Sequence, residues 1–124
     1  MADCILVVED DAAIREFVEM ALQDEGYDVV SAQDGFVALN IVRQTPVDLI
    51  ILDMRMPIMD GWAFLAAYQE VPRPHAPVIA VSANQRAVAT TMADVVDFMA
   101  KPFDLDEFIE NIKYHFNEHK STHP

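Results

Sequence analysis

Carboxylates, a hydroxyl and an ammonium group stand at the ends of the apolar runs in this chain. Leu49-Ile50-Ile51-Leu52 leads straight into Asp53, and Cys4-Ile5-Leu6-Val7-Val8 into Glu9-Asp10-Asp11. Val78-Ile79-Ala80-Val81 delivers Ser82, and Asp97-Phe98-Met99-Ala100 is followed by Lys101-Pro102. Continuous apolar runs of this length read as strands buried on both faces, as in a parallel sheet. Open parallel sheets bind ligands outside the carboxyl ends of their strands. Acids from separate segments would therefore meet at one rim. Two unit charges ~4 Å apart repel by ~4 kcal/mol at an effective dielectric of 20, so such a cluster needs a cation. An all-oxygen set favours a hard ion, and few protein ligands with room for water suit Mg²⁺. Lys101 can add a further positive charge. Taken singly, an acid after a strand is often a helix cap and a Lys-Pro a turn; their falling together at one end of the sheet carries the weight.

The elements that must position these groups follow from periodicity and stop signals. After Asp11, a helix cap, Ile14, Phe17, Val18, Ala21 and Leu22 recur at the spacing of one buried helical face. Gly26 stops that helix. Tyr27 to Ser31 is a shorter, mixed strand suited to a sheet edge. Asp34-Gly35 turns the chain into a helix marked by Ala38, Ile41 and Val42, which Pro46 ends. The loop from Met54 to Gly61 carries Pro57 and Asp60-Gly61. Asp60 caps a helix bearing Trp62, Leu65 and Tyr68. Val71 to Pro77, rich in proline, reads as a short loop crossing back under the sheet. Arg86 to Met92 reads as a weak helix, since Val88, Thr90 and Thr91 are β-branched. Asp104 opens a last helix whose buried stripe is Leu105, Phe108, Ile109, Ile112 and Phe116. Strand and helix alternate five times, which predicts an α/β, doubly wound parallel sheet with helices on both faces.

Composition narrows the class. A chain of 124 residues, 52% hydrophobic, predicts one domain over 1–124 with a real core, placed at 3–118, and a frayed tail at 119–124. Its apolar runs fall far short of the ~20 residues a membrane span needs. Asp3 and Glu9-Asp10-Asp11 near the N-terminus are the wrong charge for a signal peptide. Cys4 is the only cysteine; it reads as a buried free thiol and fits a cytoplasmic location. A net charge of −13 argues against direct binding to nucleic acid.

In order and spacing, Ile5-Leu6-Val7-Val8-Glu9-Asp10-Asp11, Asp34-Gly35, Leu52-Asp53-Met54-Arg55-Met56-Pro57-Ile58-Met59-Asp60-Gly61, Val81-Ser82-Ala83 and Lys101-Pro102-Phe103 resemble a receiver domain of two-component response regulators. The likeness spans Ile5 to about Phe116. It implies a flavodoxin-like sheet of order 2-1-3-4-5, with the first and third strands adjacent. It further implies Asp53 as phosphoacceptor, and a Mg²⁺ site (Mn²⁺ as a substitute) of Asp10, Asp53, the Arg55 backbone carbonyl and, through water, Glu9. Ser82 and the Ala83 backbone N–H would bind the phosphoryl group beside Lys101. Phe98 would be the aromatic switch, and the peptide before Pro102 would be cis. The implied donor is a phosphohistidine on a sensor histidine kinase or phosphotransfer protein. The implied output is a protein target bound on the face of the fourth helix, fifth strand and fifth helix, by a monomer or a phosphorylation-dependent dimer, with no membrane involved.

Two departures and three rivals accompany this reading. Asp94 stands where the family often has Gly before the fifth strand, and Ser82 lacks the methyl of the commoner Thr. A Mg²⁺-dependent phosphatase using an aspartyl phosphate would want a second Asp two residues after Asp53, where Arg55 stands; the chain is therefore expected to be a switch rather than an enzyme. A constitutive docking module would not need the full set of site residues. A flavin mononucleotide binder would not place Glu9-Asp10-Asp11 against a phosphate. His115, His119 and His123 share helical spacing, but a solvated terminus explains them better than a Zn²⁺ site.

Overall fold

The computed structural model describes residues 3–83 and 94–121. Within them run β1 (Cys4–Val8), α1 (Ala12–Asp24), β2 (Asp28–Ala32), α2 (Gly35–Gln44), β3 (Leu49–Asp53), α3 (Gly61–Tyr68), β4 (Val78–Ser82), β5 (Val95–Ala100) and α4 (Leu105–Ser121). The sheet is five-stranded, of order β2-β1-β3-β4-β5, and every adjacent pair is parallel. The helix expected over 86–92 lies outside the described residues.

The continuous apolar runs are explained by what covers each face. Strand side chains alternate, so Leu6, Val8, Ile50 and Leu52 join a core with Phe64 and Leu65 of α3. Ile5, Val7, Leu49 and Ile51 join a second core with Val18 and Leu22 of α1 and Phe108, Ile112 and Phe116 of α4. β1, β3 and β4 are therefore apolar except where β3 and β4 end in Asp53 and Ser82, while the edge strand β2 is mixed. Burying one such side chain contributes ~1.5–3 kcal/mol.

The caps lie largely where their residue types place them. Asp11, Asp34 and Asp60 each accept a bond from a backbone N–H three residues on, and Asp104 accepts from Asp106 and Glu107. Asp34-Gly35 is thus a helix start rather than only a turn. Gly35 and Gly61 are required by close approach: a Cβ would lie 2.6 Å from the Met59 carbonyl oxygen at one and 2.7 Å from Met54 Cα at the other. Both brace the loop after Asp53.

Four expectations change. Phe17 is 55% exposed rather than part of the buried face of α1, because the covered arc is narrow and centres on Val18 and Leu22. Cys4, at the start of its strand, is only partly buried; burial first, then Asp48 and Asp28, push its thiol pKa up. β5 begins two residues earlier than expected, at Val95. The last helix continues to Ser121, three residues into the stretch expected to be a tail.

Ile58, in the loop after Asp53, holds φ at +70° and is 84% exposed. A β-branched residue pays about 1–2 kcal/mol for the left-handed region, and here little burial compensates. Ile58→Gly is expected to stabilise the fold by ~0.5–1 kcal/mol in urea denaturation; a loss of stability would mean the side chain is packed.

Asp94 has a structural use that the sequence comparison with Gly did not show. Its Oδ2 receives Gln69 Nε2 at 2.6 Å and lies 2.9 Å from His75 Nδ1. His75, with 1% of its side chain exposed, bonds the Val71 carbonyl through Nε2 at 2.6 Å and stacks on Tyr68 at 4.2 Å. The Asp94 carbonyl accepts from Val78 N–H at 2.8 Å. This network ties the proline-rich loop to the entry of β5 at the foot of the sheet. His75→Ala would leave the Val71 carbonyl without its side-chain partner and the buried Asp94 carboxylate with Gln69 and Arg73 alone, at a cost of ~1–3 kcal/mol. A melting temperature unchanged in that variant would refute the network's importance.

Candidate functional site

Strand order brings the acids together. β1 and β3 are neighbours with Val8 level with Leu52, so the residues that follow, Glu9 and Asp53, emerge side by side. β4 adds Ser82, and β5, with Ala100 level with Ser82, leads into Lys101. Carboxylate oxygens of Glu9, Asp10 and Asp53 all lie within 4.8 Å of one another. Glu9 and Asp53 are 5% and 4% exposed; Asp10 faces solvent. Buried acids this close need positive charge.

Lys101 supplies part of it. Its Nζ donates to Glu9 Oε1 at 2.7 Å and to Asp53 Oδ2 at 3.2 Å. Its backbone N–H donates to the Ser82 carbonyl at 3.1 Å, and the Lys101–Pro102 peptide is cis. The other Asp53 oxygen, Oδ1, accepts Arg55 N–H at 3.1 Å. Asp53 therefore has one oxygen against the lysine and one against the start of its own loop. Ser82 is buried beside the site, and Ala83 is exposed. Phe98 points outward from β5, 37% exposed.

Electrostatics follow the geometry. Burial pushes the Glu9 carboxyl up, to about 7; the nearby Asp53 adds to this, while the Lys101 bond and the Asp11 N–H pull it back. Burial alone would lower Lys101, but its bond to Glu9 and the charges of Asp53 and Glu9 outweigh that, and its net direction is up. The ammonium thus stays charged at neutral pH.

The Glu9 shift has a stability consequence. Above about 7 the carboxylate is ionised in both folded and unfolded chains, and its burial destabilises the fold. As pH falls from about 7 toward the ordinary 4.5, only the folded form gains the proton, so stability rises; below that range the gain is complete. The shift caps the gain at ~3 kcal/mol, and coupling to Lys101 reduces what is measured to ~1–2 kcal/mol. Denaturation in chelator at pH 8 and pH 6 tests this. Greater stability at pH 8, or the same slope in Glu9→Gln, would contradict it.

Two partnerships were not legible beforehand. Glu9, expected as an outer partner of the metal through water, is also the nearest partner of Lys101. Arg15 also reaches in, its Nη1 donating to the Glu9 carbonyl at 2.8 Å. A signal for Arg15 exists: a cation in the first turn of a helix opposes the helix dipole, which points to work elsewhere. Of the histidines, His115 bonds Asp97 through Nε2 at 2.9 Å; the side chains of His119 and His123 lie outside the described residues.

The chain as a whole, with its 2-1-3-4-5 sheet, resembles known proteins. Residues 5–113 match the family model of the response regulator receiver domain. Transcriptional regulatory protein GlrR of Escherichia coli is 38% identical over 111 residues, which cover 87% of this chain and 25% of that protein. Response regulator GtcR of Aneurinibacillus migulanus is 33% identical, over 95% of this chain and 52% of its own length. The chain thus spans a quarter to about half of these relatives. Among solved structures, a CheY-like receiver domain protein from Methanospirillum hungatei superposes with a TM-score of 0.89 at 26% identity, covering 98% of this chain and 99% of that one. The receiver domain of a Pseudomonas aeruginosa sensor histidine kinase, with a magnesium ion coordinated in its active site cleft, gives 0.81 at 27% identity over 92% and 97% of the two chains. With the family model covering nearly all of it, this chain belongs to the response regulator receiver domains of two-component systems.

Proposed function

We propose that Asp53 accepts a phosphoryl group and that the chain works as a phosphorylation-controlled switch. The observation that carries this is the meeting of Glu9, Asp10 and Asp53 from separate segments with Lys101 bonded to both buried acids. Such a cluster is costly as a structural device and useful for receiving an anion.

The donor set fits a hard divalent cation: every candidate ligand is oxygen, and the exposed Asp10 leaves the site open to water. Asp10, Asp53 and the Arg55 carbonyl would hold Mg²⁺ or Mn²⁺, with Glu9 as an outer partner. Bound there, the ion supplies charge neutralisation to the oxygens of the incoming group. The protein residues do the rest. The Arg55 N–H fixes the carboxylate plane of Asp53. Lys101, charged and already on Asp53 Oδ2, meets the negative charge that arrives. Ser82 and the Ala83 N–H would bind the new oxygens. A carboxylate is a weak nucleophile, and positioning with charge stabilisation accounts for most phosphoryl-transfer catalysis. Phosphorus bonds to an Asp53 oxygen as the bond to the donor's leaving atom breaks.

The donor would be a phosphohistidine on a sensor kinase or phosphotransfer protein. The output would be a shift between two packings around Ser82 and Phe98, read by a protein target. Arg55, exposed and without acid–base capacity at the place a phosphatase needs it, supports a switch over a turnover enzyme. No helix among the described residues is long and apolar enough to cross a membrane.

An acyl phosphate donor with Mg²⁺ should add one phosphoryl group, seen by intact mass and mapped to the peptide containing Asp53. Beryllofluoride with Mg²⁺ should change the fluorescence of Trp62, which is 38% exposed one residue after Gly61. An unmodified mass with both donor and cation present would reject the reading.

A further inference from the structure

Charge is unevenly spread over this chain. On one face of the sheet, α1 and α4 carry exposed Glu16, Asp24, Asp106, Glu107 and Glu110. On the other, α2 and α3 lie side by side over the core that holds Leu39, Phe64 and Leu65. α3 has no charged side chain, and the only one on α2 is Arg43, in its last turn. Large apolar groups are exposed here instead. Gly35 N–H donates to the Met59 carbonyl at 3.0 Å. That bond brings Phe36 and Ile58, each next in sequence to one of its partners, to the end of the helix pair where Trp62 begins α3. All three side chains are exposed. Ile58 also keeps a left-handed backbone with its side chain in solvent. Strain held without burial in the single chain points to cover from outside it.

From this we infer that the outer face of α2 and α3 is where a second copy of the chain docks. The inference does not depend on phosphorylation. At a net charge of −13, copies repel wherever their acids meet, and this face brings few. A basic partner would be drawn to the acids of α1 and α4 instead. The face is also self-complementary, as a two-fold contact requires. A two-fold axis lying across the helices turns one copy end for end. Phe36, Ile58 and Trp62 of each copy then descend toward Asn40 and Ala66 of the other, exposed positions one turn further along α2 and α3. The short side chain of Ala66 lets the helices approach closely there. The same inversion carries Arg43, exposed at the far end of α2, toward Asp60 of the other copy, and Glu70 toward Arg55. Opposite charges thus meet at both ends of the apolar patch.

Sedimentation velocity of the full chain tests this, without Mg²⁺ or beryllofluoride, at about 0.5 M salt so that repulsion between copies is screened. From ~10 µM to ~1 mM a dimer should form, and the emission of Trp62 should move to the blue as it does. Ala66→Arg places a long charged side chain at an exposed helical position that Arg suits. It should weaken the dimer tenfold or more, with the melting temperature of the dilute monomer unchanged. Ile58→Gly should weaken the dimer while raising that melting temperature, a pair of opposite shifts that a damaged fold could not give. Tyr114→Ala, on α4, should leave the dimer intact. A chain still monomeric at ~1 mM would leave the face to another protein and overturn the proposal. A dimer indifferent to both Ala66→Arg and Ile58→Gly, or one lost in Tyr114→Ala, would overturn it too.

Discussion

Asp53→Asn is expected to take up no phosphoryl group from an acyl phosphate donor, while wild-type chain is labelled under the same conditions. The effect should be all but complete, ~10³-fold or more in rate, because the amide oxygen is not a competent nucleophile. The fold should survive. Asn retains an oxygen for the Arg55 N–H, now 3.1 Å from Asp53 Oδ1, and Lys101 keeps Glu9 at 2.7 Å. Removing one negative charge from a cluster within 4.8 Å should even raise stability, by ~1 kcal/mol in the absence of metal. Labelling and melting temperature therefore move in opposite directions, which a damaged fold could not produce. Labelling of Asp53→Asn on Glu9 or Asp10 at the wild-type rate would show that the wrong carboxylate had been chosen. Chelating the divalent cation should stop labelling of the wild-type chain as well.

Lys101→Met is the second large effect, and it separates the two jobs of the lysine. Methionine preserves much of the stem's volume and removes the charge that Glu9 and Asp53 share. Two buried carboxylates then face each other without a protein cation. Breaking such a pair costs ~3–5 kcal/mol when the remaining charge has no escape. Here Glu9 has one, since its carboxyl already sits at about 7 and will rise further. The loss should be ~2–3 kcal/mol at pH 8 and should shrink as pH falls, because the folded chain now takes up the proton more readily than the unfolded one. Mg²⁺ should restore part of the stability at pH 8. Phosphorylation should slow by ~10²–10³-fold even with saturating Mg²⁺, as one charge aimed at the developing negative oxygens is gone. A variant that is destabilised yet labelled at the wild-type rate would confine Lys101 to a structural role.

The order in which the chain meets itself explains what could be read from residues alone. Apolar runs such as Leu49 to Leu52 can only be strands covered on both sides, and that requirement, repeated with short connections, forces a parallel α/β sheet. Caps at Asp11, Asp60 and Asp104 are local events three residues long, so the sequence states them directly. That acids terminate β1 and β3 is also a fact of sequence. Long-range partnerships are different. Lys101 is 92 residues from Glu9 and 48 from Asp53, and which carboxylate it prefers depends on strand register and side-chain direction. Register likewise decides that Asp94 is engaged by Gln69 and His75 rather than left in a turn, and that Phe17 faces solvent although its spacing suited the core.

What the sequence determined by itself, then, was the menu: five buried or edge strands, helices between them, and acids, a hydroxyl and a lysine at the strand ends. Those choices rest on hydrophobic period and backbone sterics, which act over a few residues. Only the tertiary structure decided who meets whom. Bringing Glu9, Asp53 and Lys101 to within bonding distance depends on strand order, and the 2.7 Å contact that sets the charge state of the site exists only once distant segments share one desolvated edge. Desolvation is a property of that assembled environment, so the raised carboxyl of Glu9 has no counterpart in the linear chain.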